Sequence, residues 1–250
     1  MSASVPELSI IIPSYNEEAR LSRSLEKIRA YVNERHPDAE VIVVDDGSKD
    51  GTPRVVEEWQ HDWPALRLVP NGSNRGKGYS VRHGMLESRG RISLFTDADL
   101  SAPIEEGEKL IAALGDADVA IGSRAVDRKL IVVHQSRLRE LAGIIFNRFV
   151  RLFTGLSFAD TQCGFKAFRT DRSRVIFEQQ RIERFGFDPE ILFLAKRHSL
   201  RAVEIPVRWA HDPATKVHVI RDSIHMFLDL VFIRWNAMLG RYPKRRQQQQ

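Results

Sequence analysis

Between residues 8 and 122, five short apolar runs, at 8–12, 41–44, 67–69, 92–96 and 119–122, alternate with segments whose apolar residues recur at helical spacing. That alternation is the pattern of βα units, and it predicts an α/β fold with a mostly parallel sheet flanked by helices. After the first run, Leu21, Leu25, Ile28 and Val32 fall on one helical face, with Asn16 as the expected N-cap and His36-Pro37 as the stop. After the second, Thr52 and Pro53 read as N-cap and first residue of a helix through Val55, Val56 and Trp59. Helices over 76–88 and from Pro103 through Leu110, Ile111 and Leu114 follow the next two runs. With 250 residues and 42% hydrophobic content, the chain has room for one core of this kind. The expected partition is a sheet domain over 1–210, a loop and amphipathic helix over 211–243, and a disordered basic, glutamine-rich tail over 244–250.

The residues able to do chemistry gather where the strands end. Asp45-Asp46-Gly47-Ser48 closes the second run and Asp97-Ala98-Asp99-Leu100-Ser101 the fourth. In open α/β sheets ligands bind at that edge, because its loops converge on one crevice. Two carboxylates one residue apart can share a hard divalent cation with a diphosphate. Alone, Asp-x-Asp is as often a solvated turn or a helix cap; several carboxylates along one edge demand a cation or donors among them. A departing nucleoside diphosphate needs its growing negative charge neutralised, and bound Mg²⁺ or Mn²⁺ does this as a Lewis acid. Lys77, in Asn74-Arg75-Gly76-Lys77-Gly78, and Arg124, in Gly122-Ser123-Arg124, follow predicted strands and are candidates to add positive charge there.

Other chemistries fail on spacing. Gly76-Lys77-Gly78-Tyr79-Ser80-Val81 lacks the third glycine of a dinucleotide fingerprint, and no Gly-x4-Gly-Lys-Ser/Thr run exists for a P-loop. The eight histidines show no zinc spacing with carboxylates or cysteines, and the single cysteine, Cys163, excludes an intrachain disulfide and reads as a small core residue. A net charge of +5 and a pI near 9.5 call for an anionic partner. Nucleic acid is not the expected one, because the aromatics are not interleaved with Lys and Arg in any binding-module pattern.

The second half changes character. Residues 124–151 carry seven Arg or Lys against two acids, and Leu138, Leu141, Ala142, Ile145, Phe149, Leu152 and Phe153 make a basic amphipathic helix near 136–154. A second apolar face runs through Ile224, Phe227, Leu228, Val231, Phe232, Trp235, Met238 and Leu239, but His225, Asp229 and Arg234 interrupt it. No transmembrane helix is therefore expected, since a span needs roughly 18 or more nearly unbroken apolar residues. Residues 1–8 show no signal peptide pattern, which predicts a chain at the cytoplasmic face of a membrane, held peripherally by these helices.

Taken together, Pro13-Ser14-Tyr15-Asn16-Glu17, Asp45-Asp46-Gly47-Ser48-x-Asp50-Gly51-Thr52, Asn74-x-Gly76-Lys77-Gly78, Asp97-Ala98-Asp99-Leu100 and Gly122-Ser123-Arg124 resemble family 2 glycosyltransferases of GT-A, Rossmann-like fold. Within them the chain is most similar to the dolichol-phosphate mannose synthase and dolichyl-phosphate β-glucosyltransferase groups. The runs Asp160-Thr161-Gln162-Cys163-Gly164-Phe165-Lys166 and Arg184-Phe185-Gly186-Phe187-Asp188-x-Glu190 favour the second group. The resemblance implies a nucleotide-sugar donor, UDP-glucose first, with GDP-mannose, UDP-N-acetylglucosamine and UDP-galactose open, and a polyprenyl-phosphate acceptor at a membrane surface. It further implies that Pro13, Tyr15 and Glu17 hold the nucleoside with Asp45, and with Asp46 alongside, and that Asp97 and Asp99 hold the divalent cation and diphosphate. Ser101 stands where the mannose synthases carry a third metal ligand. Arg124, Arg137 and Lys216 match phosphate-contacting positions, with Arg139 an alternative to Arg137. Asp99, Arg124, Arg137 and Lys216 are thus the expected catalytic set. An ionised phosphomonoester attacks the anomeric carbon without a protein base and inverts it; a hydroxyl acceptor would need one, with Asp160 the candidate.

Overall fold

The computed structural model describes residues 5–133, 135–211 and 219–244, apart from the side chains of 137–139 and 219–223. The five expected strands form as β1 (Leu8–Ser14), β2 (Glu40–Asp45), β3 (Leu66–Pro70), β4 (Ile92–Thr96) and β5 (Val119–Ser123), with α1 (Glu18–Arg35), α2 (Thr52–Gln60), α3 (Lys77–Glu87) and α4 (Gly107–Ala113) between them. Beyond β5 the chain adds β6 (Ile131–Val133), α5 (Arg137–Thr154), β7 (Phe165–Arg169), α6 (Thr170–Gln179), α7 (Phe187–Arg197), β8 (Ala202–Pro206), β9 (Trp209–Ala210) and α8 (Val219–Met238).

The main sheet runs β3-β2-β1-β4-β7-β5-β8, and β6 and β9 form a separate parallel pair. All its neighbours pair in parallel except β7, which lies antiparallel between β4 and β5. Both faces of the sheet are covered, which explains why its strands read as near-continuous apolar runs. On one face Ile10, Ile12, Val41 and Val43 pack with Leu21, Leu25 and Ile28 of α1. On the other, Ile11, Ile42, Val44, Phe95 and Phe168 pack with Val81, Phe177, Phe187 and Ile191 of α3, α6 and α7. Residues 10, 11 and 12 alternate between the two, as the strand period of two requires.

Two helix starts differ from expectation. Asn16 does not cap α1: it sits at φ 53, accepts from the Lys49 N–H at 2.8 Å and donates its own N–H to Ser48 Oγ at 2.9 Å. It ties the loop after β1 to the loop after β2, in a left-handed conformation that asparagine tolerates. Glu17 takes the cap position. Thr52 is the first helical residue of α2 rather than its cap, and Asp50 Oδ1 accepts its N–H at 3.0 Å.

Helix α5 coincides with the basic amphipathic segment, and α8 covers most of the second. The two pack together, with Phe227 edge-on to both Phe149 and Phe153. Phe146 and Val150 of α5 and Leu230 and Ile233 of α8 turn into the core. Leu141, Ile144, Ile145 and Leu152 of α5 and Ile224, Leu228, Val231, Phe232, Trp235 and Met238 of α8 remain exposed. Among the described residues, no helix is long and apolar enough to cross a membrane.

Candidate active site

The ends of β1 and β2 lie side by side, Ser14 opposite Asp45, so Pro13, Tyr15, Glu17, Asp45 and Asp46 share one stretch of sheet edge. Asp46 is engaged by donors from the next loop. Its Oδ1 accepts from Asn71 Nδ2 at 2.8 Å and the Arg75 N–H at 2.9 Å, and its Oδ2 from the Gly76 N–H at 2.8 Å. These bonds tie the loop over 71–76 to the end of β2. Asp45 receives the Ser48 N–H on both oxygens, at 3.3 and 3.2 Å, and Glu17 is paired with Arg20.

That loop delivers Lys77. Gly76 reaches φ 111 with its α-carbon so close to the Glu183 carbonyl that a β-carbon would lie 2.6 Å from the oxygen, so both its conformation and its surroundings require glycine. Lys77 then opens α3 with its Nζ 2.5 Å from Asp97 Oδ1. Burial pulls its pKa down, but Asp97, Asp188 and Asp99 outweigh that and hold it above the ordinary range. After β4 the chain turns tightly, with the Leu100 N–H on the Asp97 carbonyl at 3.0 Å and Leu100 at φ 49. This brings Asp99 beside Asp97, with the Ser101 N–H on Asp99 Oδ1 at 2.9 Å. Burial and the charge of Asp97 raise the Asp99 pKa, against the pull of Ser101. Gly164 closes over the pair; a β-carbon there would meet Asp97 Oδ2 at 2.2 Å.

At the end of β5, Arg124 grips Asp160 through Nε on Oδ2 at 2.6 Å and Nη2 on Oδ1 at 2.8 Å, and lies over the Trp209 ring at 5.3 Å. Glu204 of β8 holds the same loop by accepting the Ala159 and Asp160 N–H groups at 2.8 and 2.7 Å. Burial works against ionising Asp160, but Arg124 overrides it and the carboxyl falls to about 2. Asp160 is therefore ill suited to be the base that a hydroxyl acceptor would need. Cys163 is buried, as a core residue should be, and burial pushes its thiol up to about 12. On β7, fully buried Lys166 pairs with Asp188 at the start of α7; burial lifts the Asp188 carboxyl above its usual range despite Lys166 and Lys77.

Lys77, Asp97, Asp99, Ser101 and Arg124 line one crevice of about 560 Å³ together with Asp160, Gly164 and Asp188. Its far wall is α5, which contributes Ala142, Gly143, Ile144 and Phe146 beside Arg148 and Arg151, while Trp209 and Met226 close the end. The lining thus combines acidic residues from the strand ends with apolar and arginine residues of α5. Pro13, Tyr15, Glu17 and Asp45 stand at neighbouring strand ends, outside that lining. The Arg137 side chain and Lys216 lie outside the described residues. Sequence reasoning gave no role to Lys166, Asp188, Thr161 or Trp209; the first three sat in motifs whose spacing alone suggests no contact.

For a divalent cation the donor set is oxygen-only: Asp97 and Asp99, with Ser101 adjacent. No group of three or more His, Cys, Asp or Glu positioned to hold a metal exists among the described residues. Two mutually repelling carboxylates, one of them raised in pKa, fit a hard cation that completes its shell with phosphate oxygens.

Residues 9–177 match the family Glycosyl transferase family 2. Among characterised proteins, the chain is 36% identical over 247 residues to a dolichyl-phosphate beta-glucosyltransferase of Dictyostelium discoideum, covering 93% of this chain and 75% of that one. It is 37% identical over 248 residues to the Drosophila melanogaster enzyme of the same name, covering 94% and 76%. Among solved structures it superposes on glucosyl-3-phosphoglycerate synthase from Mycobacterium tuberculosis, crystallised with Mn²⁺, UDP and glucosyl-3-phosphoglycerate, at a TM-score of 0.66 and 16% identity over 97% of this chain and 82% of that one. That likeness is one of fold, the GT-A arrangement expected from the motifs.

Proposed function

Because the chain belongs to glycosyl transferase family 2, we propose that it moves glucose from UDP-glucose to a dolichyl-type polyprenyl phosphate, inverting the anomeric carbon to give a β-linked lipid-phosphate sugar. It is a hexosyltransferase. The observation that carries the acceptor reading is the state of the carboxylates along the crevice. Asp97 and Asp99 form the metal pair, Asp160 is held by Arg124, Glu140 by Arg128 and Asp188 by Lys166. Each of these described carboxylates thus has a cationic partner or a place in the metal pair, which argues against any of them as the base a hydroxyl would need. A phosphomonoester needs no such base, because it is already ionised at neutral pH.

In this reading Asp97 and Asp99 hold the divalent cation and, through it, the donor diphosphate, while Tyr15, Glu17 and Asp45 flank the nucleoside. The cation, Mg²⁺ or Mn²⁺, supplies Lewis-acid neutralisation of the leaving diphosphate. Lys77, now paired with Asp97, is positioned to add its charge to the same oxygens. Arg124 spends Nε and Nη2 on Asp160, which fixes the guanidinium plane, and its Nη1 has no hydrogen-bond partner among the described residues; that edge receives the acceptor phosphate. Arg137 and Lys216 complete the phosphate-binding set. Closeness of two anionic substrates is the main barrier, so these cations matter more than proton transfer.

The exposed apolar faces of α5 and α8 support a membrane partner. They form one paired layer, and α5, with Arg148 and Arg151, also lines the crevice. Lying in the lipid interface, such a layer would bring the crevice to a prenyl chain and its phosphate.

Asp99→Ala tests the metal assignment. Transfer should fall about a hundredfold or more, with thermal stability unchanged or slightly raised because a repulsion is relieved. Full activity in this variant would sink the assignment.

A further inference from the structure

Lys166 and Asp188 form a buried ion pair to which the mechanism above gives no part. Lys166 is 0% exposed at the second position of β7, and its Nζ donates to Asp188 Oδ1 and, at 2.5 Å, to the Cys163 carbonyl. Apolar side chains of the same volume would stabilise the fold about as well, so an ion pair kept at a crevice wall calls for a functional explanation. Asp188 lines the crevice at 4% exposure, and its Oδ2 has no hydrogen-bond partner among the described residues. Thr161, 2% exposed on the same crevice, has a buried Oγ1 that also lacks one. Native interiors pair nearly all buried polar atoms, so the unpartnered Thr161 Oγ1, on the wall that also presents an open Asp188 oxygen, points to a ligand that brings hydroxyl groups.

The order of strands says which part of a ligand would reach them. Tyr15 and Asp45 stand at the ends of β1 and β2, Asp97 and Asp99 at the end of β4, and β7 is next in the sheet. A nucleotide sugar with its base over β1 and β2 and its diphosphate over β4 carries its hexose over β7 and the start of α7. A lone carboxylate at that point would repel the diphosphate; Lys166 cancels the charge and leaves one oxygen to accept a hydrogen bond. We propose that Asp188 Oδ2, with Thr161 Oγ1, binds hydroxyls of the donor hexose and selects the sugar, and that Lys166 is a positioning residue behind it. This rests on the nucleotide-hexose reading of the donor.

The test is calorimetric titration of UDP, UDP-glucose and a set of monodeoxy UDP-glucose analogues, with Mn²⁺, into the wild type, Asp188→Asn and Thr161→Val. The expected result is UDP affinity within about twofold of wild type and UDP-glucose weakened about tenfold or more in Asp188→Asn. One deoxy position should cost the wild type affinity yet cost Asp188→Asn nothing, which names the hydroxyl. Thr161→Val, which keeps shape and removes only the hydroxyl, should weaken UDP-glucose alone by a smaller factor. Equal weakening of UDP and UDP-glucose in both variants would make the pair structural and overturn the proposal. Unchanged UDP-glucose binding with lost turnover in Asp188→Asn would make Asp188 a proton acceptor and overturn it too. A wild type that binds neither compound would bring down the donor reading itself.

Discussion

Asp160 and Asp46 are both buried carboxylates at the sheet edge, and each is engaged by donors of the chain itself. Asp160 exists to hold Arg124. Removing its charge in Asp160→Asn strips the partner from a half-buried guanidinium, so we expect a loss of about 1–3 kcal/mol in denaturant unfolding. The folded pKa near 2 lies below the usual carboxylate value, so this contribution is present above about pH 4 and fades only as pH falls toward 2. A catalytic base would give the opposite signature, lost turnover with stability intact. At this scale the meeting of Asp97, Asp99, Lys77 and Arg124 on one crevice was legible, because strand ends and short motifs place them locally. The work of Asp46 was not, because its partners lie 25 to 30 residues further on and meet it only after the sheet forms. Lys166 and Asp188, 22 residues apart, are hidden for the same reason.

Among elements, the strands before residue 123 follow from periodicity, whereas β7 does not. Its five residues, Phe165–Arg169, carry a lysine at the second place, which argues against a central strand until Asp188 is seen to receive it. Helices α6 and α7 were equally unread. Helix α7 also bears Glu190, fully buried, which accepts from Tyr242 Oη at 2.6 Å and from the Arg181 and Ile182 N–H groups. The contact fastens the segment after α8 to the loop that abuts Gly76 and Gly78. Burial pushes Glu190 up to about 7 despite these donors. Because the folded pKa lies above the unfolded one, this group's contribution is greatest below about pH 4 and is lost as pH rises through 7. Melting temperature should therefore decline between pH 5 and 8. Tyr242→Phe removes a donor to the ionised form, so it should cost about 1.5–3 kcal/mol at pH 8 and less at pH 5. A loss independent of pH would contradict this reading.

For the whole molecule, the sequence foretold an α/β core with two amphipathic helices and expected those helices to meet a membrane surface, without showing how they sit relative to one another. The structure pairs them into one layer with its apolar side outward, a relation that helical period cannot reveal because any packed helix is amphipathic. Leu228 and Trp235 are each 56% exposed on that side. Replacing both with Glu should reduce sedimentation with anionic phospholipid vesicles at least about tenfold while leaving the melting temperature unchanged. Unaltered vesicle binding would remove the layer from the lipid surface and leave a second copy of the chain as its occupant. Transfer to a lipid phosphate is measured by offering radiolabelled UDP- and GDP-sugars with polyprenyl phosphate in detergent, with Mn²⁺, Mg²⁺ or EDTA. Labelled glycolipid is expected from UDP-glucose with metal and none with EDTA; glycolipid formed equally in EDTA, or donor consumed with label reaching only hydroxyl acceptors or water, would rule this chemistry out.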